Sequence, residues 1–143
     1  MLITNNGGYM VLQEDLKKLF HQLHKEEMAQ IELGGSNITV RMMDQASTFS
    51  LSTPVYLGGN FIPKSVRHCV SQKAPFAQVG AIKTHLTLDE PNFKVWLGYL
   101  GSLDHMNGER FKELLEEFTW LAGEWRHYLD EHGKQDLIHV RQP

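Results

Sequence analysis

The sequence has only one cysteine, Cys69, and no run of apolar residues long enough to cross a bilayer. One cysteine excludes an intramolecular disulfide framework and is typical of a reducing compartment. A membrane-spanning helix needs about 20 consecutive apolar residues, so we expect no membrane insertion. The first ten residues, MLITNNGGYM, lack a basic segment, and polar residues interrupt their apolar stretch. We therefore expect no signal peptide and predict a cytoplasmic globular protein.

An excess of positive charge is also missing. The 14 Lys and Arg residues are outnumbered by 17 Asp and Glu residues, which gives a formal net charge of -3. Such a chain offers no basic field to a phosphate backbone, so we expect no nucleic-acid partner. The 143 residues contain no repeat, low-complexity run or Pro-rich linker. We predict one domain over 1–143, with an ordered core at about 10–131 and flexible ends.

Hydrophobic periodicity predicts the element order α-β-β-β-α-β-β-α, an α+β fold with helices packed on an antiparallel sheet. An amphipathic helix at about 10–28 precedes three short strands at about 29–54, which turns at 34–37 and 44–46 separate. A weaker helix at about 62–73 leads into a second hairpin with strands at about 78–87 and 92–100. For the closing helix, at about 107–131, we predict Asn107 as the N-cap and Gly133 as the stop.

The last strand has apolar residues on both faces. Phe93, Val95, Leu97 and Tyr99 alternate on one face, and Trp96 and Leu100 lie on the other. Helices can cover only one face of an antiparallel sheet in so small a domain. A second subunit would cover the other face economically; the alternative is an exposed Trp96 with a polar rim.

Trp120 is a second apolar residue in an unexpected place. It follows Phe111 by nine residues, so it lies about 180° from the apolar stripe of the closing helix. Its neighbours on the helical wheel are acidic residues and His127. A tryptophan on a solvated face suits a partner contact, because it buries a large area at low entropic cost. Isolated surface aromatics are also common, and both interpretations stay open.

Enzyme signatures are largely absent: the sequence has no P-loop, G-x-G-x-x-G, G-x-S-x-G, C-x-x-C or H-E-x-x-H motif. His21 and His24 stand three apart on a helix and could share a metal ion. No third ligand stands out nearby, so we interpret them as solvated histidines.

Two further sets of polar residues are also interpreted as structural. His68 and Cys69 are adjacent, and side chains of adjacent helical residues diverge by about 100°, so Cys69 is predicted to be a buried structural thiol. Asp89 and Glu90 precede Pro91 in a predicted turn, which explains their carboxylates without acid–base chemistry. We predict no catalytic residue, no metal and no cofactor.

The second half of the chain resembles the class I type III secretion chaperones, the Tir-chaperone-like family. In that family a strand ending in L-x-L-D is followed by a second strand, a linker with L-D and a helix reading F-x-x-x-L-x-x-F-x-x-x-A-x-x-W. The matching residues here are Leu86, Leu88 and Asp89, then Val95–Leu100, Leu103 and Asp104, and in the helix Phe111, Leu115, Phe118, Ala122 and Trp125. With the first helix and the three strands, the resemblance covers about 10–131.

The resemblance implies a bacterial cytoplasmic homodimer that binds the N-terminal segment of secreted effector proteins and keeps it soluble and export-competent. Binding would combine strand addition with hydrophobic pockets on the first helix and adjacent strands. With Trp120 from the helical wheel, the candidate partner-binding residues are Leu16, Phe20, Leu23, Ile38, Val40, Phe49 and Trp120. With Leu100 from the two-sided strand, the candidate dimer-interface residues are Val66, Val70, Ile82, Trp96 and Leu100.

Two other hypotheses remain beside the chaperone. The first is an adaptor or regulator on the same fold, for example one that contacts transcription machinery. The second, less favoured, is a small metal-binding enzyme that uses His21 and His24. The three hypotheses predict different partners. The chaperone would bind a secreted protein's N-terminal segment, the adaptor a regulatory protein and the enzyme a metal ion.

Overall fold

A computed structural model of the chain describes residues 2–4, 10–71 and 82–141, without the side chains of 135–141. The described residues form a six-stranded sheet with three helices packed on one of its faces. The elements are β1 Leu2–Thr4, α1 Gln13–Glu26, β2 Met28–Leu33, β3 Ser36–Met43, β4 Thr48–Leu57, α2 Lys64–Ser71, β5 His85–Asp89, β6 Lys94–Ser102 and α3 Gly108–Arg141. Among the described residues, no helix is both long and apolar enough to cross a membrane.

The sheet has the strand order β1-β2-β3-β4-β6-β5. Four of its neighbouring pairs are antiparallel, and β1 pairs with β2 in parallel. The long pairing of β4 with β6 therefore lies inside the sheet, while β1 and β5 form its two edges.

The hydrophobic core lies between the sheet and the helices. Alternate residues of β2, β3, β4 and β6 are buried, as the period of two requires for a sheet that is covered on one face. The apolar stripe of α3, from Phe111 to Leu129, packs against them and is almost fully buried. Cys69 belongs to the same core, which confirms the prediction of a buried thiol.

The first helix follows from its sequence in a simple way. Leu16, Leu19 and Leu23 recur at helical spacing and are buried against the sheet. Acidic residues occupy the first turn and basic residues the last, as the helix dipole favours. The helix ends at Glu27, whose left-handed φ of 60° lets its N–H donate to the carbonyl of Leu23 at 2.9 Å.

The predicted fold class and the order of the eight predicted elements are confirmed. The N-cap at Asn107 is confirmed as well, because its side-chain oxygen accepts the N–H of Arg110 at 2.8 Å. Strand β1 was not predicted, because three residues give too short a pattern. β5 begins only at His85, and residues 78–81 and 72–73 of the predicted elements lie outside the described residues.

Two predicted boundaries are wrong because tertiary packing decides them. α3 does not stop at Gly133 but continues to Arg141. Gly133 is buried inside the helix, where a Cβ atom would lie 2.8 Å from the Tyr56 hydroxyl oxygen. β4 runs through Pro54 to Leu57, beyond the predicted end at about 54. Pro54 is tolerated there because the pairing of β3 with β4 already ends at Ser52, so no β3 partner needs the missing N–H.

Candidate binding surfaces

A cavity of about 430 Å³ opens between α1, the β3–β4 turn and the start of α3, and we call it the groove. Its lining is mainly apolar, with His24 and Glu27 as the titratable side chains, and consists of Phe20, Leu23, His24, Glu27, Met42, Ala46, Leu103, Met106, Asn107, Gly108 and Phe111. Two of these residues are methionines, whose unbranched side chains adapt to different apolar partners. The groove is therefore suited to apolar side chains of an incoming chain.

Three connections that are distant in sequence build the rim of the groove. The α1–β2 connection contributes Glu27, the β3–β4 turn contributes Ala46, and the β6–α3 connection contributes Leu103 and Met106. The Leu103 N–H donates to the carbonyl of Ser47 at 3.0 Å, which joins the second connection to the third.

The β3–β4 turn holds a strained backbone at the groove. Asp44, Gln45 and Ala46 have φ angles of 52°, 58° and 65°, in the left-handed region that residues with a Cβ adopt rarely. Two hydroxyls stabilise the turn: Ser47 donates to the Asp44 carbonyl at 2.8 Å, and Thr48 donates to its carboxylate at 3.0 Å. The sequence thus fixes the shape of this side of the groove.

A row of aromatic rings connects the groove to the core. The Phe20 ring lies 5.4 Å from that of Phe111, and Phe111 lies 5.5 Å from Phe49. Phe49 in turn packs 5.9 Å from Tyr99 on β6. Phe20 is 38% exposed although it belongs to this row. The row holds Phe20 in place at the mouth of the groove.

The face of the sheet opposite the helices is the second candidate surface, and we call it the open face. In the described part of the chain no helix covers it, because α1, α2 and α3 all pack on the other side. On β4 and β6 it pairs Ser50 with Leu100, Ser52 with Gly98 and Pro54 with Trp96. Leu100 is 61% exposed, and Trp96 is half-buried.

Neighbouring side chains hold Trp96 against the open face. Its indole N–H donates to the Asp89 carboxylate at 3.3 Å, and the Lys94 ammonium lies 5.8 Å from the ring centroid. The hydrogen bond from the Asn92 amide, at 2.9 Å, and that from Trp96 lower the pKa of Asp89 below its usual range. The carboxylate is therefore charged near neutral pH and fixes the indole.

Gly98 keeps the open face flat beside Trp96. The His85 ring lies across it from β5, so a Cβ atom at Gly98 would come within 2.5 Å of the His85 Nε2. The missing side chain allows the imidazole to lie close to the sheet. The centre of the open face is thus formed by Pro54, Trp96 and His85. The exposed Leu100 lies further along β6 on the same face.

The structure places most of the predicted partner-binding residues in the core. Ile38, Val40 and Phe49 have no exposed surface, and Leu16 and Leu23 have very little. Leu23 still contributes to the lining of the groove. Phe20 and Trp120, each 38% exposed, are the members of the set that present substantial surface. The periodicity of the sequence marked these positions as apolar, but it did not separate core from surface.

The predicted dimer-interface residues are also divided. Val66 lies on the side of α2 that faces the core and is fully buried, so it has no surface to offer a second copy. Val70 and Ile82 are half-buried against the core. Trp96 and Leu100 lie on the open face, where Gly98 separates them along β6.

The two histidines of the metal hypothesis line different recesses. His24 lines the groove, whereas His21 lines a separate recess between α1 and β1. Within the described residues, no group of three or more His, Cys, Asp or Glu side chains is placed to hold a metal ion. The structure therefore gives the pair no common site.

Sequence reasoning missed the groove residues Met42, Leu103 and Met106. Leu103 and Met106 lie in a connection, where no periodic pattern marks a residue as part of a surface. The Leu103-Asp104 pair of the resemblance was the one signal that pointed to this connection. The separate positions carried no sign that α1, the β3–β4 turn and α3 meet there.

No protein-family model matches the sequence, and no curated protein matches it either. Solved structures do match the chain in fold. A chain in the crystal structure of the ExsC–ExsE complex has a TM-score of 0.59 and 17% sequence identity, over 84% of this chain and 96% of that chain. The Yersinia pestis type III secretion chaperone SycH, solved with a stable fragment of YscM2, has a TM-score of 0.48 and 11% identity, over 77% of this chain and 95% of that chain.

The first of these likenesses establishes the fold of the chain. The superposition covers nearly the whole of that chain in the ExsC–ExsE complex. Because the sequence identity is low, it shows a similar fold and nothing more. The second superposition is too loose to add to it. The protein therefore has an α+β fold like that of a chain in the ExsC–ExsE complex, with a groove on the helical side of its sheet and an open face on the other.

Proposed function

We propose that this protein is a non-catalytic, cytoplasmic chaperone of the type III secretion kind. It binds an extended segment of a secreted protein, its client, and keeps that segment soluble before export. The observation that carries the proposal is the groove: an apolar cavity, with an exposed phenylalanine at its mouth, in a chain that has the fold of a chain in the ExsC–ExsE complex.

The groove binds apolar side chains of the client. Phe20 is fixed by its contact with Phe111, so it offers a large apolar area at little entropic cost on binding. Met42 and Met106 adapt to the shape of the client's side chains. The client is recognised by spaced apolar residues in an extended chain and not by one folded surface.

The open face joins two copies of the protein. Trp96 is fixed by Asp89, and Leu100 lies on the same face beyond Gly98, so a second copy that covers both residues removes apolar area of this face from water. A two-fold interface brings the same patch of each copy together. In this arrangement the groove of each copy stays free for the client.

The experiment is an affinity capture from native lysate with three tagged full-length proteins. The wild type and a Leu57→Glu control should capture the same secreted protein through its N-terminal segment. A Phe20→Glu variant should lose most of it, because a carboxylate at the mouth of the groove opposes apolar binding. Leu57 is 68% exposed at the end of β4 and does not line the groove, so its variant matches the change in charge and apolar surface.

Each result of the capture has a defined meaning. Loss of a secreted client with Phe20→Glu alone supports the proposal. Capture of a regulatory protein without any secreted protein supports the adaptor hypothesis instead. If Phe20→Glu retains every protein that the wild type retains, the groove is not a binding site and the proposal is wrong.

A further inference from the structure

Strand β1 differs from the rest of the sheet. It has three residues, lies at one edge, and pairs in parallel with β2, whereas the other described pairs are antiparallel. One buried side chain anchors it: Ile3 is 5% exposed, while Leu2 and Thr4 face solvent. A strand with three paired residues and one buried side chain is weakly held compared with its neighbours.

The strand covers only part of the edge on which it lies. It pairs with Gln30, Ile31 and Glu32, so half of the six residues of β2 have no partner on this side within the described residues. Between β1 and α1 a recess of about 280 Å³ remains open. An extended segment that replaces β1 can pair with the same three residues of β2 and place a side chain in this recess.

The recess also has a charge preference. Besides Ile3, His21 and Gln22 it is lined by two lysines, Lys18 and Lys25, against one carboxylate, Glu26. An acidic residue beside the paired segment would be attracted to this side of α1. The site is thus suited to an extended segment with one apolar anchor and a nearby carboxylate.

We propose that β1 is a displaceable strand. It covers a docking edge where an extended client segment pairs in parallel with β2 and buries one apolar side chain in place of Ile3. Pairing to an exposed edge with one side-chain pocket is a known way of binding peptides. The identification of the displacing strand as part of a client rests on the proposed function. The displacement of β1 does not depend on it.

The covering strand has a physical benefit for the free protein. An uncovered edge strand presents unpaired N–H and C=O groups that promote association with other sheets. With β1 in place, the Gln30–Glu32 part of the edge is satisfied until a better strand competes for it. Clients that lack an apolar anchor cannot displace β1, so the strand also selects among them.

The test uses full-length protein and a fluorescently labelled synthetic peptide with the sequence MLITNNGGY, residues 1–9 of this chain. In an Ile3→Asp variant the carboxylate cannot stay in the buried position, so β1 should leave the edge free. We expect this variant to bind the peptide with at least a tenfold lower Kd than the wild type in fluorescence anisotropy. A Leu2→Asp variant carries the same charge on an exposed position of β1 and should behave like the wild type.

Hydrogen exchange separates release of the strand from unfolding. In Ile3→Asp the amides of β2 should lose protection while those of β3 and β4 keep it, and added peptide should restore protection in β2. If β3 and β4 also lose protection, Ile3→Ala replaces Ile3→Asp in the same assay. A peptide with Asp in place of Ile3 should not bind.

The inference is overturned if a folded Ile3 variant does not bind the peptide, or if the wild type binds it equally well. Because no client takes part in this assay, either result leaves the proposed function intact. Conversely, the peptide can bind as expected even if the capture experiment finds no secreted protein.

Discussion

At the scale of single residues, Gly101 sets how closely β6 can approach the aromatic row. A Cβ atom there would lie 2.7 Å from the Tyr99 ring and 2.9 Å from the Phe49 ring. Phe49 is fully buried and cannot move aside. We predict that Gly101→Ala lowers the free energy of unfolding by about 1–3 kcal/mol, the usual cost of an added atom in a packed core, as measured by urea denaturation.

Gly108 provides the matched control for this prediction. It opens α3, and a Cβ atom there would meet nothing closer than 3.8 Å, from the Phe20 ring. Gly108→Ala should therefore leave stability unchanged or raise it by about 0.4–1 kcal/mol, because alanine restricts the unfolded chain. Equal effects of the two substitutions would show that crowding at Gly101 is not the cause.

Asp89 gives a residue-scale prediction of pH dependence. The bonds from Asn92 and Trp96 favour its charged form and lower its pKa, so they are present near neutral pH and are lost as the pH falls through that lowered value. We predict a change in Trp96 fluorescence with a midpoint below the usual range of aspartate. An Asp89→Asn variant should lack this step, since its amide does not titrate.

The other two tryptophans require a control in this experiment. Trp120 and Trp125 also emit, so the titration is repeated with Trp96→Phe, which should remove the step while the remaining emission persists. A step of the same midpoint in Trp96→Phe would mean that another group titrates near another tryptophan. That result would contradict the inference that the Asp89 carboxylate holds the Trp96 indole in place.

At the scale of elements, α3 and β4 are coupled where Gly133 meets Tyr56. Because a Cβ atom at 133 would lie 2.8 Å from the Tyr56 hydroxyl oxygen, Gly133→Ala should cost about 1–3 kcal/mol despite the better helix propensity of alanine. In a Tyr56→Phe background the same change should cost little or stabilise. Urea denaturation of the four proteins of this double-mutant cycle measures the coupling, and additive effects would contradict it.

The elements also show how far the sequence alone leads. α1 and the apolar stripe of α3 were predicted because several leucines or aromatics repeat at helical spacing, and local periodicity is enough for that. The continuation of α3 past Gly133 and of β4 through Pro54 depends on Tyr56 and on the end of β3, which are distant in sequence. Strand β1 depends on the β2 edge in the same way. No local pattern carries such information.

At the scale of the whole molecule, the candidate surfaces were only partly predictable. Trp96 and Leu100 stood out because a strand with two apolar faces has more apolar surface than one layer of helices can cover. The groove did not stand out, because three connections create it only when the chain is folded. Ile38 and Val40 were candidates for partner binding and are buried, because periodicity marks an apolar face without stating whether it is covered.

The proposed assembly gives a whole-molecule prediction. We expect the wild type to be a dimer at micromolar concentration in light scattering, because the open face buries Trp96 and Leu100 only against a second copy. A Trp96→Glu and Leu100→Glu double variant should be a folded monomer. Leu12→Glu should remain a dimer, because Leu12 is 48% exposed at the start of α1, on the helical side of the sheet. A monomeric wild type would contradict the role given to the open face and would leave the groove unaffected.

The central claim is that the groove binds a client's extended segment, and calorimetric titration tests it most directly. The N-terminal segment of the captured secreted protein, made as a synthetic peptide, is titrated into the wild type, Phe20→Glu and Leu57→Glu. We predict saturable binding to the wild type, an unchanged Kd for Leu57→Glu and at least a tenfold higher Kd for Phe20→Glu. Equal binding of the peptide to all three proteins, or no binding to the wild type, would contradict it.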